Sequence, residues 1–400
     1  MRLIFVNRFY WPDEPATAQL LHDLAEALAR AGADVTVVAS HPGDIDVPDT
    51  EVRGGVRIFR VRSARGRENS LAGKALAFAS FQLRAWFRVL RSARRGDCLV
   101  SLTDPPLFGL AVWFAARLRG ARIVHWVQDI YPELAIVLAG QTWLRLVRPL
   151  RDLAWRRADG CVTLGRDMAG VLARAGVSPA KLAVIPNWAP AGLGPPAATE
   201  VAAVRAEWGL AGKFVVAYSG NLGRVHDLEP VLDIAAAVAD SRIVFLFVGG
   251  GAQADVLARA AQARGLANVV FRARQPRARL AAALGAGDLH LVTLLPGCEA
   301  LVFPSKLYGA AAVGRPVLFI GPADCDVAVQ VREKNLGLAF PRARIAEIAA
   351  AIGRLADDPA ALARHGTAAL AFAADQDLVA ATARWRRLPA LQLAASPPGR

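Results

Sequence analysis

Four cysteines in 400 residues, Cys98, Cys161, Cys298 and Cys325, are too few and too far apart for a disulfide framework or a cysteine-based zinc site. That usage suits a reducing, cytoplasmic setting. The six histidines are equally thin, and none stands at ligand spacing from another histidine, a cysteine or a carboxylate cluster, so no metal is expected. Asp-x-Asp pairs occur at Asp44/Asp46 and Asp324/Asp326, at a level that chance explains. Long apolar runs are missing too. The longest, Leu107 to Ala116, is closed by Pro106 and Arg117 and falls short of the ~18 residues that a spanning helix needs. Near the N-terminus only Leu3 to Val6 is apolar, which reads as a first strand and not a secretory signal.

Acidic residues are scarce relative to basic ones, 34 against 48, leaving a net charge of +14. The imbalance is concentrated. Between Arg53 and Arg95 twelve basic residues face one acid, Glu68. Interleaved with them, Leu71 to Leu90 carries Phe78, Phe81, Leu83, Trp86 and Phe87 at helical spacing, the pattern of a basic amphipathic helix that can lie on an anionic membrane surface. A solvated arginine-rich face is the plainer reading. No nucleic-acid motif accompanies the charge, so no nucleic-acid partner is expected.

What is present in quantity is apolar residue and strand–helix alternation. Hydrophobic residues make up 54% of the chain, much of it alanine, and the mean hydropathy is +0.31. The length points to two domains. Leu3 to Val6, the helix Thr17 to Ala31 and Asp34 to Ala39 form a βαβ opening, with later strands at Cys98 to Leu102, Ile123 to Val127 and Gly160 to Leu164. The Pro/Gly/Ala-rich stretch at 191–200 reads as a linker. A second sheet then starts with Phe214 to Ser219 and continues through Ile243 to Val248, Val269 to Phe271, Leu289 to Thr293 and Val317 to Ile320. The pattern predicts an α/β protein of two doubly wound Rossmann-like domains, 1–190 and 201–374, with ligands at the carboxyl ends of the strands.

Three motifs carry chemistry. After His290 to Leu294, Pro304-Ser305-Lys306 reads as the entry to a helix capped by Ser305 and closed by Gly314 and Pro316. Free backbone N–H groups, the helix dipole and the Lys306 ammonium together suit an anion such as a diphosphate, although an ordinary capped helix reads the same way. After Phe214 to Ser219, the turn Gly220-Asn221-Leu222-Gly223-Arg224 lets the backbone approach a ligand and adds a guanidinium for phosphate oxygens. Asp129 ends the strand Ile123 to Val127, and alternation puts His125, Val127 and Asp129 on one face with Gln128 on the other. Asp129 suits a sugar hydroxyl, or serves as a plain helix cap. A competing pattern, Gly249-Gly250-Gly251-Ala252-Gln253-Ala254 followed by Arg272 and Arg274, loosely satisfies a dinucleotide fingerprint for NADP. That fingerprint belongs on the first strand of its sheet, which here is Phe214 to Ser219.

Taken with FYWPDEPATAQLLHDLAEALARAGADVTVV, QDIYPELA, VIPNW, YSGNLGRVHDL and FLFVGGG, the segment PSKLYGAAAVGRPV resembles the family 4 retaining glycosyltransferases. More narrowly it is similar to bacterial enzymes that build O-antigen and exopolysaccharide repeat units, of the colanic-acid type, on a polyprenyl carrier. The resemblance implies a GT-B fold, two Rossmann-like domains facing each other across a cleft, with a last helix within 375–400 returning to the first. It implies a peripheral enzyme on the inner face of the cytoplasmic membrane, taking a nucleotide-diphosphate sugar and a polyprenyl-linked saccharide acceptor, with no cofactor and no metal. Arg224 and Lys306 would grip the donor diphosphate, and Glu299 would lie near the donor sugar. Gly220, Asn221, Gly223, Gly250, Ser305 and Tyr308 would line the donor site, and Asp13, Glu14, Gln128 and Asp129 the acceptor side. Departures are visible. No lysine follows Arg224 in VHDL, Gly309 stands where a second glutamate is common, Gln128 replaces a histidine, and Pro15 and Ala16 replace glycines in the early loop. A binding subunit without turnover, or a UDP-sugar 2-epimerase of the same fold, therefore stays open.

Overall fold

The computed structural model describes residues 1–43, 45–64 and 71–392, and for residues 71, 72, 74 and 75 it describes the backbone alone. Asp44, Arg65, Arg67 and Glu68 lie outside the described residues. The chain divides into two compact units, Met1–Asn187 joined by the chain from Leu378, and Trp188–Asp377. The last three residues of the expected linker, 198–200, are helical, opening a helix Ala198–Trp208.

The first unit holds strands β1 (Arg2–Val6), β2 (Asp34–Ser40), β3 (Thr50–Arg53), β4 (Val56–Val61), β5 (Cys98–Ser101), β6 (Arg122–Trp126), β7 (Gly160–Thr163) and β8 (Leu182–Val184). Their order across the sheet is β3-β4-β2-β1-β5-β6-β7-β8, parallel throughout except for the β3–β4 hairpin. That hairpin was hidden in the sequence by its arginines. In the fold they find acids that precede the basic stretch: Arg57 pairs with Asp34, Arg60 with Glu51 and Arg62 with Asp49. The basic stretch is thus partly neutralised. Part of what stays outward lies on the helix Leu71–Ser92, which buries Phe81, Ala85 and Val89 at spacing four and exposes Leu83 and Phe87 beside Arg84 and Arg91. Phe81, expected on an outward apolar side, is core and packs on Phe108.

The second unit holds β9 (Phe214–Ser219), β10 (Ile243–Val248), β11 (Val269–Arg272), β12 (Leu289–Thr293), β13 (Val317–Ile320) and β14 (Gly337–Phe340), in the order β11-β10-β9-β12-β13-β14, all parallel. Both faces are covered, as a parallel sheet requires. Phe245 and Phe247 join the core on one face, Val244, Leu246 and Val248 that on the other. Each fully buried side chain of this size stabilises by roughly 2–3 kcal/mol.

In both sheets the chain starts at the centre, winds to one edge and returns to wind to the other. The reversal lies between β1 and β5 and between β9 and β12, where crevices open in doubly wound folds. Pairing of β9 with β12 stops at Ala217 and His290, while the strands run on to Ser219 and Thr293, so their carboxyl ends part. The returning helix Leu378–Arg386 is fixed to the first unit by Trp385, which is fully buried with its ring 5.1 Å from Trp126 and 6.2 Å from Phe5.

Candidate active site

At the β9/β12 switch point two loops meet. The turn after β9 carries Gly220 to Arg224, and the loop after β12 leads to a short helix, Lys306–Ala312. The Gly249–Gly251 turn after β10 meshes with the first of these. A Cβ on Gly249 would lie 2.1 Å from the Gly220 carbonyl oxygen, and one on Gly251 would lie 2.3 Å from Asn221 Oδ1. Gly220 N donates to the Val248 carbonyl at 2.9 Å and Leu222 N to the Gly250 carbonyl at 2.8 Å. These glycines are therefore needed for two backbones to interlock, which accounts for the dinucleotide-like spacing without a dinucleotide. Gly250 faces open space.

Lys306 is the centre of the arrangement. Its Nζ lies 2.8 Å from His226 Nε2 and 4.9 Å from the Tyr218 ring centre, and its stem packs under Gly220, where a Cβ would come within 3.1 Å of Lys306 Cε. His226 Nδ1 reaches the Thr293 carbonyl at 2.9 Å, which assigns the ring proton to Nδ1 and leaves Nε2 to accept from the ammonium. Burial holds the Lys306 amine down at about 8, and burial with the neighbouring Lys306 charge holds His226 down at about 3. The imidazole is thus neutral and the lysine carries the charge. Arg224 is exposed and pairs with no acid among the described residues. Glu299 has a half-buried carboxylate whose Oε2 has no hydrogen-bond partner among the described residues.

Two donor-side expectations change position. Ser305 has helical backbone angles and makes no side-chain cap, so its hydroxyl is not spent on the helix start. Tyr308 is buried, its ring stacked between Phe303 and Phe372, and packs the helix onto the following core. At Gly309 a Cβ would meet only Leu284, at an ordinary 3.7 Å.

In the first unit the end of β6 behaves as alternation requires. His125, Val127 and Asp129 line one cavity of about 130 Å³, which Gln128 does not touch. Burial, reinforced by the Asp104 carboxylate, pushes Asp129 up to about 6, and its backbone N–H donates to Thr103 Oγ1 at 3.2 Å. Gln128 is buried and spends its amide on Asn187: Gln128 Nε2 donates to Asn187 Oδ1 at 3.2 Å, and Asn187 Nδ2 donates back to Gln128 Oε1 at 3.0 Å. It is a tie between strand end and chain exit. Asp13 folds back to accept from Tyr10 N at 3.1 Å and so does not cap the following helix, which starts at Ala16 after Pro15. Glu14 is exposed beside it.

Two family descriptions match the chain, Glycosyl transferase 4-like domain over residues 17–188 and Glycosyl transferases group 1 over residues 202–371. The chain belongs to the glycosyltransferases, with one domain of each description. This glycosyltransferase is 29% identical over 308 residues to the probable glycosyltransferase WbjE of Pseudomonas aeruginosa, covering 75% of this chain and 72% of that one. It is 27% identical over 335 residues to the putative colanic acid biosynthesis glycosyl transferase WcaI of Escherichia coli, covering 78% and 82%. Among solved structures, Anabaena HepE in complex with UDP-glucose superposes with a TM-score of 0.72 at 17% identity, covering 96% of this chain and 98% of that chain. The shared fold is the GT-B fold.

Sequence reading of the glycosyltransferase missed three polar residues. His226 stood where a lysine was sought, and its link to Lys306 spans eighty positions that only the β9/β12 neighbourhood brings together. Arg151 clamps Glu133 with both nitrogens, at 2.8 and 2.9 Å, so the glutamate after Asp129 is structural. Asp104, beside Asp129, lay in a loop with no motif; the β1/β5 reversal is the signal that could have found it.

Proposed function

We propose that the protein transfers a hexose-type sugar from a nucleotide-diphosphate sugar, UDP-linked, to a polyprenyl-diphosphate-linked saccharide in surface polysaccharide synthesis, with retention at the anomeric carbon. The observation that carries this reading is the buried Lys306 ammonium held by His226 beneath the Gly220 turn, with Arg224 on the same loop. Bond formation between the acceptor oxygen and the anomeric carbon, with cleavage of its bond to the β-phosphate oxygen, leaves charge on the diphosphate. Lys306 and Arg224 supply the matching positive charge in place of a divalent cation. The departing phosphate takes the acceptor proton, so no protein nucleophile is required, and the free Glu299 oxygen is available to a donor-sugar hydroxyl. HepE binding UDP-glucose supports the nucleotide, and the name of WcaI supports the polysaccharide pathway.

The acceptor reading rests on Asp129 and on the outward arginines and apolar side chains of the helix Leu71–Ser92, which suit a peripheral position on an anionic membrane. No helix among the described residues is long and apolar enough to cross a membrane. The test is transfer of radiolabelled sugar into a lipid extract across a panel of nucleotide sugars. Label in the lipid phase from a UDP-sugar supports the reading; nucleotide binding without transfer to any lipid would leave a binding subunit, and interconversion of the free UDP-sugar an epimerase.

A further inference from the structure

The cavity beside Asp129 has a wall that the proposed sugar chemistry does not use. Leu107, Leu110, Val127, Leu150, Ala154 and Trp155 surround most of its 130 Å³. An apolar cavity of roughly 150 Å³ stays dry and takes a benzene-sized guest, so this one has room for a branched five-carbon group. Leu107 reaches the wall from a left-handed backbone conformation, φ +65°, which a leucine adopts only when its surroundings impose it.

The cavity adjoins an apolar surface. Leu150, on its wall, is 51% exposed, and the preceding turn Thr142–Val147 shows Trp143 at 65% and Leu146 at 81%. Arg145, Arg156 and Arg157 of the same segment are exposed, and none has an ion-pair partner among the described residues. An aromatic and two leucines on a segment that also exposes arginines complement a layer of hydrocarbon under anionic headgroups. A free sugar offers nothing for such a surface; an amphiphile with a phosphate does.

Resting on the lipid-linked acceptor reading above, we propose that the segment Thr142–Arg157 faces the membrane and that the cavity behind it takes an isoprene unit of a prenyl diphosphate. The contact is non-covalent. It would let this unit select prenyl-linked over free saccharides.

Geranyl diphosphate is the probe, titrated against the full chain with inorganic diphosphate as the control for charge alone. Binding is read by calorimetry and by fluorescence of Trp155. The wild type should hold geranyl diphosphate at least tenfold more tightly than inorganic diphosphate. Ala154→Leu, and separately Leu110→Phe, should remove that advantage with UDP binding and the melting temperature kept. Equal affinity for the two diphosphates, or unchanged geranyl diphosphate binding in folded cavity variants, overturns the assignment. The two readings separate cleanly: transfer to a prenyl-linked acceptor without cavity dependence overturns the cavity alone, whereas cavity-dependent geranyl binding without transfer supports the cavity and removes the reaction.

Discussion

Lys306 Nζ donates to His226 Nε2 at 2.8 Å, and His226 in turn donates through Nδ1 to the Thr293 carbonyl, so a neutral imidazole fixes an ammonium at the end of β12. Lysine is a flexible point charge, and its catalytic worth depends on being held. Lys306→Ala should therefore cost about a hundredfold in turnover, as expected for losing one preorganised charge. His226→Ala should cost about tenfold, with part recovered by His226→Gln, which keeps an acceptor. Arg224→Ala should combine with Lys306→Ala less than additively, because both act on one diphosphate. Wild-type turnover in Lys306→Ala at saturating donor would remove the lysine from the reaction.

The lowered Lys306 pKa sets a pH limit. The charged form is the useful one, and burial places its loss at about 8 where an ordinary lysine would hold its proton to about 10.4. Accordingly kcat/KM for the donor should fall as pH rises through about 8. His226, held down at about 3, stays neutral throughout and adds no limb of its own. An activity plateau extending past pH 10 would mean that Lys306 is not the titrating group.

The interlocked glycine turns predict a stability defect that looks like a binding defect. Gly249 has φ +142°, and any Cβ there would collide with the Gly220 carbonyl carbon and oxygen, both backbone atoms. Gly249→Ala should destabilise the protein by about 2–4 kcal/mol, from strain and collision together. Gly250→Ala, with open space around it, should cost far less. Urea denaturation of the two variants separates these outcomes, and equal costs would show that the turns do not pack as described.

Much of this was legible because it is local. Strand–helix alternation gave the two parallel sheets, and period-two alternation placed His125, Val127 and Asp129 together with Gln128 apart. The hairpin of β3 and β4 escaped because its arginines read as free charge; their acids are Asp34 on β2, Asp49 just before β3 and Glu51 within β3. Ser305 read as a cap from residue type alone, yet its backbone is already helical. Tyr308 looked like part of a binding motif, while its ring fills the space between Phe303 and Phe372, a contact made with a helix more than sixty residues away. Pairings across a sheet, such as His226 with Lys306, leave no mark on local spacing.

The outward face of the helix Leu71–Ser92 predicts salt-sensitive lipid binding. Arg84, Arg88 and Arg91 border one surface cleft with Phe87 and Val61, and Arg88 lies over the Phe59 ring at 3.6 Å. Each charge near an anionic surface contributes about 1 kcal/mol. Changing all three to Gln should weaken sedimentation with anionic vesicles by about a hundredfold at low salt, and the wild type should release as salt rises. Equal binding to neutral and anionic vesicles would leave only a solvated basic face.

Asp129 tests whether the first unit takes part in chemistry at all. The carboxylate sits at the end of β6 with burial and Asp104 raising it to about 6, whereas Arg224 and Lys306, proposed to grip the nucleotide, belong to the other unit. If the ionised form orients the acceptor hydroxyl, transfer should fall as pH drops through about 6, giving with Lys306 a profile bounded near 6 and 8. Asp129→Asn removes the charge and keeps the shape. It should leave UDP affinity within a few-fold and yet lower transfer by about a hundredfold or more, the pattern of an interaction realised only in the transition state. The acid limb should disappear in that variant while the alkaline limb stays. A loss of UDP affinity equal to the loss of transfer, or an acid limb that persists without Asp129, would assign the acid-side titration and the acceptor contact to another group.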